Sequence, residues 1–427
     1  MSENNTATLL NLEQLKSAVA GKAAAFRCRR KLQPSGGAGD KVFPPTYAGA
    51  VYAVEQRRVP GRLELVTCVL LDSVQSQANR MEQALQEALS RGELKLPVIE
   101  VDFTPYDPAG TPDENARADR LLDAIGKLTS LQVPHRLADA ILRDSEIEEG
   151  DGPQKKLLPF RKSQYGNALN SASPLNATPI YQLCPTALLF GMWDSTGPKG
   201  GLGAKFERAI VSEVVGLGAS ISESHKNRGV RRDPLEASKQ VLIQKKEDGS
   251  WQVADTATTK GNLRPSEVNH GSVPFDSPNA GVTIEYAEQL TTLSLIALRR
   301  LRFPVANPRP AAAAAHVGGQ TVLAALGLCA ATLAFESGMG LRSRCLLWPE
   351  GPMEWELLAK PGEAPQRLTL DSKGALALLA EAVAAAEKAG LEWRSEPLTL
   401  QPSKELLKLV RLSQQQAVKA VGDEGAE

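Results

Sequence analysis

The chain has 427 residues, of which 42% are hydrophobic, 5% aromatic and 23% charged, and its formal net charge at pH 7 is zero. This length suits one elaborated domain or two, and the hydrophobic content is sufficient for a core built mainly from aliphatic side chains. Five widely spaced cysteines and an N-terminus without a signal-peptide pattern exclude a disulfide framework and favour a cytoplasmic protein.

The charges are unevenly distributed along the chain. Residues 1–60 hold 9 Lys/Arg against 4 Asp/Glu, residues 91–150 hold 7 against 13, and residues 151–240 hold 12 against 7. This alternation is compatible with an ordinary solvated surface and equally with one basic and one acidic face. A protein of the second kind would bind a polyanion and stack head to tail on copies of itself.

The first basic cluster lies at Arg27, Arg29, Arg30 and Lys31 and precedes a glycine-rich stretch at 36–39. It is interpreted either as a set of phosphate contacts or as an ordinary basic turn. The sequence at this point does not separate the two.

A strand, a helix and a second strand are predicted next. Residues 63–71 are an apolar run typical of a buried strand, and apolar residues from 74 to 89 then recur at helical spacing. Residues 97–103 resemble another strand. This order favours an α/β sandwich of the ferredoxin-like or RNA-recognition kind.

Polar side chains cluster where that helix begins. Ser73, Gln75, Asn79 and Arg80 can all hydrogen-bond phosphate, ribose or base edges, and a helix N-terminus favours anions. For Ser73 and the preceding Asp72, helix capping is the competing interpretation.

Further elements are predicted downstream as far as the middle of the chain. A helix is expected over 116–128 and a strand over 186–193, while 206–215 fits either a strand or a short helix. His135 and Arg136 follow a proline, and a lone histidine there is more often a structural hydrogen-bonding group than a catalyst.

The most distinctive segment runs from Gly191 to Arg208 and is rich in glycine and lysine. Glycines allow backbone N–H groups to surround an anion, and nearby cations add charge to phosphate contacts. It matches neither GxxxxGK[ST] nor GxGxxG, which argues against nucleotide hydrolysis. A flexible surface loop is the alternative. The candidate contacts are Lys199, Gly200, Gly201, Gly203, Lys205 and Arg208.

The second half of the chain begins with a polar insertion. A hairpin turning at Asp248-Gly249 is predicted inside it. The elements expected after the insertion are helices over 283–301 and 311–337, strands over 341–348 and 353–358 paired around 349–352, and helices over 375–388 and 403–421.

No catalytic, metal or cofactor site is legible in the sequence. The four histidines lack metal-ligand spacing, acidic pairs are usually solvated, and Ser195 lacks the flanking glycines of GxSxG. We therefore expect a protein that is not an enzyme and needs neither metal nor cofactor.

Five segments together resemble the backbone subunit of type I-U (I-G) CRISPR effector complexes, a family of the RAMP superfamily. They are LLDSVQSQANRMEQAL, PHRLADAILRDS, TALLFGMWDSTGPKGGLGAKFERAIVSEVVG, LSLIALRRLRFP and LRSRCLLWP. The resemblance implies an α+β fold: a modified ferredoxin-like or RNA-recognition-motif palm with finger and thumb insertions. It also implies a non-catalytic subunit, several copies of which bind along one guide RNA and present it to complementary target DNA.

Carried onto this chain, the resemblance predicts a single elaborated domain over 1–427. It also implies palm residues near RNA and a loop over the guide backbone. The palm residues are Ser73, Gln75, Asn79, Arg80, His135 and Arg136, and the loop residues are Lys199, Gly200, Gly201, Gly203, Lys205 and Arg208. The palm core would comprise 63–220 and 281–350, with a protruding thumb or finger at 221–280 and a helical extension at 360–427. Expected partners are the guide RNA, target DNA, further copies of the chain, the large and guide-processing subunits and a recruited helicase-nuclease. The alternative is a metal-dependent ribonuclease of the same superfamily using Asp72, Asp102 or Asp194.

Overall fold

In a computed structural model of the chain, the structure describes residues 7–49, 51–108, 119–150, 152, 155–195, 203–221, 230–231, 233–238, 240–246, 250–254, 262–271, 273–274, 281–305 and 310–424. These residues form two compact units. The first draws on 1–103, 126–221 and 281–403, and the second on 104–125, 222–280 and 404–427.

A ten-stranded sheet forms the centre of the first unit. Its strands are β1 (Thr8–Leu9), β2 (Ala25–Pro34), β3 (Val54–Arg58), β4 (Leu65–Asp72), β5 (Ile210–Leu217), β6 (Tyr286–Ser294), β7 (Met339–Arg342), β8 (Cys345–Pro349), β9 (Trp355–Leu358) and β10 (Gln366–Thr369). Eight of them lie in the order β1-β10-β9-β2-β6-β5-β4-β3, while β8 pairs with the second half of β2 and β7 pairs with β8. Among the described strands of this sheet, only β1 and β10 pair in parallel.

Helices cover one face of this sheet. The α-helices of the described residues are α1 (Leu12–Ala20), α2 (Val74–Ser90), α3 (Ala140–Arg143), α4 (Gln164–Ser171), α5 (Thr178–Leu183), α6 (Thr186–Phe190), α7 (Leu295–Arg299), α8 (Pro310–Glu336), α9 (Ser372–Lys388) and α10 (Lys404–Glu424). Helix α8 packs against α1, α2 and α9, and both α2 and α8 contact the central strands. This arrangement confirms the predicted α+β class and is compatible with a ferredoxin-like or RNA-recognition fold carrying insertions.

Helix α8 is the core helix of the first unit. Among the described helices it alone has the length and apolarity of a membrane span, but 89% of its most apolar window is buried inside the protein. A Cβ at Gly319 would lie 2.6 Å from the Phe303 ring, so the missing side chain permits close packing there. Gln320 donates to the Leu301 carbonyl at 3.0 Å. This degree of burial is typical of a helix in a protein core.

A buried polar network lies between α2 and the sheet. The Gln77 carboxamide oxygen accepts from Ser212 Oγ at 2.9 Å and from Gln289 Nε2 at 2.8 Å. The Ser212 and Thr291 hydroxyls are 2.8 Å apart, and Arg30 donates to Gln289 at 3.3 Å. Because buried polar groups need partners, this network holds β2, β5 and β6 in register with α2.

A second sheet in the first unit has five strands. Their order is Lys156–Pro159, Ser145–Glu149, Leu398–Pro402, Ile99–Asp102 and Lys127–Thr129. Among the shorter pairings of this unit, Val282–Thr283 pairs with both Ser220–Ile221 and Lys41–Val42. Thr46–Tyr47 pairs with Val51–Tyr52, and Met192–Trp193 pairs with Lys205–Phe206. Its 3-10 helices are Arg136–Ala138 and Phe160–Lys162.

The second unit contains α10, two short strand pairs and the 3-10 helices Thr104–Tyr106 and Pro265–Val268. Ile243–Lys245 pairs with Trp251–Val253, which confirms the predicted hairpin, whereas its predicted turn at 248–249 lies outside the described residues. The other pair is Val230–Arg231 with Val273–Pro274. The assignment of this insertion as a thumb or finger stays a prediction.

The predicted helix over 283–301 is wrong for most of its length. The strand β6 occupies Tyr286–Ser294, and only the short α7 that follows is helical. Buried and half-buried side chains alternate along β6, and its backbone pairs with β2 on one side and β5 on the other. Sheet pairing along both edges therefore determines the conformation.

Two further predictions are corrected nearby in the chain. The predicted strand over 186–193 is mostly the helix α6, with a two-residue strand after it. The described part of the predicted helix over 116–128 is turn, irregular chain and strand, and residues 116–118 lie outside the described residues. The ambiguous segment 206–215 is largely strand β5. Helices α2, α8, α9 and α10 are confirmed.

The predicted strand over 353–358 is confirmed as β9, but the predicted single strand over 341–348 is wrong, because a turn at 343–344 separates β7 from β8 and these two strands pair with each other. The predicted pairing around 349–352 is wrong as well. Strands β8 and β9 do not pair with each other around 349–352, because both pair with β2. Residues 25–34 thus lie at the centre of the sheet, although the predicted palm core of 63–220 and 281–350 omits them. The segment 360–427, predicted as a helical extension, also contributes strand β10 and the strand Leu398–Pro402.

Candidate nucleic-acid interface

The turn from β4 into α2 presents polar side chains at the surface. Ser73 is the N-cap of α2, and its Oγ accepts from the Ser76 backbone N–H at 3.2 Å, which confirms its predicted capping role. Gln75 and Asn79 lie one turn apart on the exposed side of α2. Neither carboxamide forms a hydrogen bond with a described residue, so both are free to bind a ligand.

Asp72 is not the helix cap but a buried carboxylate with several hydrogen-bonding partners. Its carboxylate accepts from Gln77 at 2.6 Å, from Ser76 at 2.8 Å, and from the guanidinium groups of Arg80 and Arg342 at 2.9 and 3.3 Å. Its side chain is fully buried. The carboxylate oxygens of Asp72 are therefore bound by two arginines and two polar side chains.

The side chain of Arg80, a predicted RNA contact, binds other residues of the protein. Besides Asp72, it donates to the backbone carbonyl of Leu341 at 2.6 Å, at the edge of β7. These contacts tie the start of α2 to the strand β7. Arg80 therefore has a structural role that the sequence prediction did not include.

Arg136 is likewise held inside the protein. It lies in the left-handed region, with φ of 51°, and its guanidinium makes a two-point ion pair with Glu82 at 2.6 and 2.7 Å. It also donates to the Gly191 carbonyl at 3.2 Å. Burial raises the pKa of the Glu82 carboxyl, and Arg136 offsets part of that rise. This pair fastens α2 to the start of the glycine-rich segment.

His135 lies beside Arg136 but has no comparable contacts. Its side chain is exposed, and its backbone N–H donates to the Asp139 carboxylate at 2.9 Å. Of the two adjacent predicted contacts, only His135 presents its side chain to solvent.

The glycine-rich segment forms a hairpin rather than an open loop at its base. Trp193 pairs with Lys205 and Met192 with Phe206, and the Asp194 N–H donates to the Ala204 carbonyl at 2.9 Å. The Asp194 carboxylate is bound by both terminal nitrogens of Arg161. Three predicted contacts, Lys199, Gly200 and Gly201, lie outside the described residues.

Gly203 allows the two arms of this hairpin to approach each other. A Cβ at this position would lie 2.0 Å from the Asp194 carbonyl oxygen, which no side chain tolerates without displacement of the backbone. Its role in the described structure is close packing of the arms, whereas the sequence pattern predicts a contact with an anion.

We expect Gly203→Ala to loosen the base of the hairpin. The added methyl group has to displace the Asp194 carbonyl and weaken the bond from the Asp194 N–H to Ala204. Amide hydrogen exchange at Asp194 should become faster. Gly351→Ala is the matched control because a Cβ there meets no atom within 4 Å. Unchanged exchange at Asp194 would contradict the assignment.

Two exposed cations lie at the base of the hairpin. The Lys205 ammonium is 5.3 Å from the centre of the Trp193 ring, and Arg208 Nε donates to the Phe190 carbonyl at 3.0 Å. Neither side chain forms an ion pair with any residue that the structure describes. Both charges therefore remain available to an anion.

A cleft of about 680 Å³ brings several of these groups together. It lies against the exposed side of α2 and is bounded by the 131–136 segment. The predicted contacts that line it are Gln75, Asn79, Arg136 and Arg208. Three segments that are far apart in sequence therefore meet at one polar surface, which we call the α2 cleft.

The first basic cluster lies elsewhere, on strand β2, so the alternative of a basic turn is wrong. Arg27, Arg29 and Lys31 share the sheet face opposite the helices. Each has a carboxylate partner; the pairs are Arg27–Glu356 at 2.7 Å, Arg29–Glu288 at 3.6 Å and Lys31–Glu350 at 3.0 Å. Arg30 points to the helix-covered face and is 8% exposed. Its predicted contact with RNA is corrected to a role in the buried network.

Sequence reasoning missed three groups at this surface. Gln83 and Gln132 also line the α2 cleft, and the exposed Trp193 lies under Lys205. Gln83 continues the four-residue spacing of Gln75 and Asn79 along α2, a signal present in the sequence. Trp193 has no such signal, because only the hairpin register places it opposite Lys205.

The described residues contain no group of three or more His, Cys, Asp or Glu side chains arranged to hold a metal ion. Of the carboxylates considered for metal chemistry, Asp72 and Asp194 are buried and bound by arginines. Asp102 lies 3.6 Å from the Lys127 ammonium. Each is placed for an ion pair within the protein.

Part of the chain matches one known protein family. The family described as CRISPR-associated protein GSU0053 matches residues 26–221, just under half of the chain. None of the curated proteins compared with the chain matches it. The matched segment contains α2, the Arg136 segment and the hairpin, and so every predicted contact that lines the α2 cleft. Over these residues the chain is similar to a CRISPR-associated protein family.

Proposed function

We propose that this protein is a non-catalytic backbone subunit of a CRISPR RNA-guided DNA surveillance complex of type I-U (I-G), within the RAMP superfamily. Several copies bind along the guide RNA in the cytoplasm and present it to complementary DNA. The other partners are the large subunit, the guide-processing subunit and a recruited helicase-nuclease. The observation that carries the proposal is the meeting of Gln75, Asn79 and Arg208 in the α2 cleft, beside the hairpin with Lys205.

The charges of the cleft indicate where the RNA backbone binds. Arg136 is neutralised by Glu82, so Arg208 is the cation of the cleft without an acidic partner among the described residues. Glu87 lines the cleft near the other end of α2. Phosphates should therefore lie near Arg208, Lys205 and the N-terminus of α2, where the helix dipole is positive. Such contacts position a strand without reading its sequence.

The positions of the candidate catalytic carboxylates support a scaffold over a ribonuclease. A metal-dependent nuclease needs carboxylates that are free to coordinate a cation. In this chain Asp72 and Asp194 accept hydrogen bonds from arginine side chains and are almost completely buried. All five cysteines are unpaired and buried, which accords with the proposed cytoplasmic location.

We expect the double variant Lys205→Ala/Arg208→Ala to weaken binding of single-stranded RNA at fixed salt. Removing one cation from a phosphate should lower the slope of log K against log salt by about 0.7, so the double variant should lower it by about 1.4. Fluorescence anisotropy over a series of salt concentrations measures both quantities.

The matched control is Lys360→Ala/Arg367→Ala, which removes two exposed cations that form ion pairs with Glu363 and Glu354. Its slope should equal that of the natural protein. If the hairpin variant and the control have the same slope, Lys205 and Arg208 do not contact RNA. If the natural protein has no salt-dependent affinity for RNA, the proposed function is wrong.

A further inference from the structure

The second unit contains a groove on helix α10 that the proposed function does not use. It has a volume of about 640 Å³ and lies along the first three turns of the helix. Its lining residues are Tyr106, Asp119, Lys404, Leu407, Lys408, Arg411, Leu412 and Gln415. We call it the α10 groove.

The α10 groove is strongly basic. Lys404, Lys408 and Arg411 are spaced by four and three residues and therefore lie on one side of the helix, over a length of about 10 Å. Asp119 is the only carboxylate among the lining residues. The lysines are exposed, and neither forms an ion pair with a residue that the structure describes.

The position of these lysines in the helix strengthens the argument for an anionic ligand. Lys404 and Lys408 lie in the first two turns of α10, next to the positive end of the helix dipole. Cations there repel the helix terminus, and Glu405 is the one acidic residue of the first turn. An anion in the groove would relieve this repulsion.

The other lining groups indicate which anion. Tyr106 contributes an aromatic ring, half-buried, and Leu407 a buried apolar side chain. Grooves that hold single-stranded nucleic acid combine cations along the backbone with aromatic rings on which bases stack. An acidic protein segment would not need the ring, whereas a strand with unpaired bases uses both features.

We propose that the α10 groove is a second binding site for single-stranded nucleic acid, in which Lys404 and Lys408 contact phosphates and Tyr106 stacks on a base. The site rests on residues that the proposed function leaves unassigned, and it is separate from the α2 cleft in its composition. It extends the proposed function, on which it rests, by giving each subunit two contacts with nucleic acid. Both contacts are insensitive to sequence.

The test measures binding of single-stranded RNA and DNA of one sequence over a series of salt concentrations. Lys404→Ala/Lys408→Ala should lower the slope of log K against log salt by about 1.4. Tyr106→Ala should leave the slope unchanged and lower affinity about tenfold, because the ring carries no charge but stacks on a base. The control Lys16→Ala/Lys22→Ala removes two other exposed lysines and should have no effect.

The outcomes separate this inference from the proposed function. If Lys404→Ala/Lys408→Ala keeps the natural slope while Lys205→Ala/Arg208→Ala lowers it, the α10 groove is not a nucleic-acid site and the α2 cleft stands. The reverse result retains the α10 groove and rejects the α2 cleft. An equal decrease in the Lys16/Lys22 control would show a general effect of charge and would overturn the inference. With both sites in use, the combined four-residue variant should show both decreases in slope.

Discussion

Replacing Arg136 by alanine should destabilise the first unit by about 3–5 kcal/mol, because it leaves a buried carboxylate without its partner. Glu82 is 4% exposed and Arg136 11% exposed, so water replaces little of the broken ion pair. The variant also lacks the bond to the Gly191 carbonyl. Glu82 should respond by taking up a proton, since burial already raises its pKa. Urea unfolding followed by circular dichroism measures the decrease in stability.

Two further variants test this explanation. Arg136→Met/Glu82→Leu should recover much of the stability, because it removes both charges and leaves apolar side chains in their place. Arg91→Ala removes an exposed arginine just beyond the other end of α2, whose partner is Glu93, and should change stability little. If Arg136→Ala is as stable as Arg91→Ala, the buried ion pair does not hold the cleft together.

Replacing Asp72 by alanine should have an effect of similar size, about 3–5 kcal/mol. The carboxylate is the shared acceptor of Arg80 and Arg342, and its removal leaves two partly buried guanidinium groups without their anion. The Gln77 amide nitrogen loses its acceptor as well, which disturbs the network between α2 and the sheet. Asp72→Asn keeps an acceptor and should cost less.

The Asp72 variants also bear on the choice between scaffold and nuclease. We expect Asp72→Ala to lower the urea midpoint, while RNA incubated with magnesium stays intact with both the natural and the variant protein. Magnesium-dependent cleavage that disappears in Asp72→Asn, without a change in stability, would support the ribonuclease instead.

Several elements were predictable because local signals and the tertiary structure agree. Helix α2 has apolar residues at helical spacing and a serine cap, and α8 is a long alanine-rich run that becomes the core helix. The hairpin at 243–253 has an Asp-Gly turn signal between two segments that contain β-branched or aromatic residues. In each case the residues that stabilise the element lie inside it.

Strand β6 was not predictable, and the buried network explains why. An amphipathic strand is recognised by apolar residues at every second position, but two of the four buried positions of β6 are Gln289 and Thr291. They are buried because Gln77 and Ser212 supply hydrogen bonds from α2 and β5. Partners so distant in sequence leave no local signal.

The candidate site was predictable in composition but not in the role of each arginine. Arg80, Arg136 and Arg208 all fall in polar segments of the sequence, yet only Arg208 is exposed without an acidic partner among the described residues. Arg80 binds the Asp72 carboxylate and a backbone carbonyl of β7. Arg136 binds the Glu82 carboxylate and the Gly191 carbonyl. Tertiary contacts of this kind decide whether an arginine binds a ligand or the protein.

Native mass spectrometry of the protein on single-stranded RNAs of increasing length, with magnesium present, tests the proposed scaffold role most sharply. We expect the number of bound copies to rise in whole steps as the RNA lengthens, and the mass of the RNA to stay unchanged. One bound copy at every length, or RNA shortened during the incubation, would contradict that role.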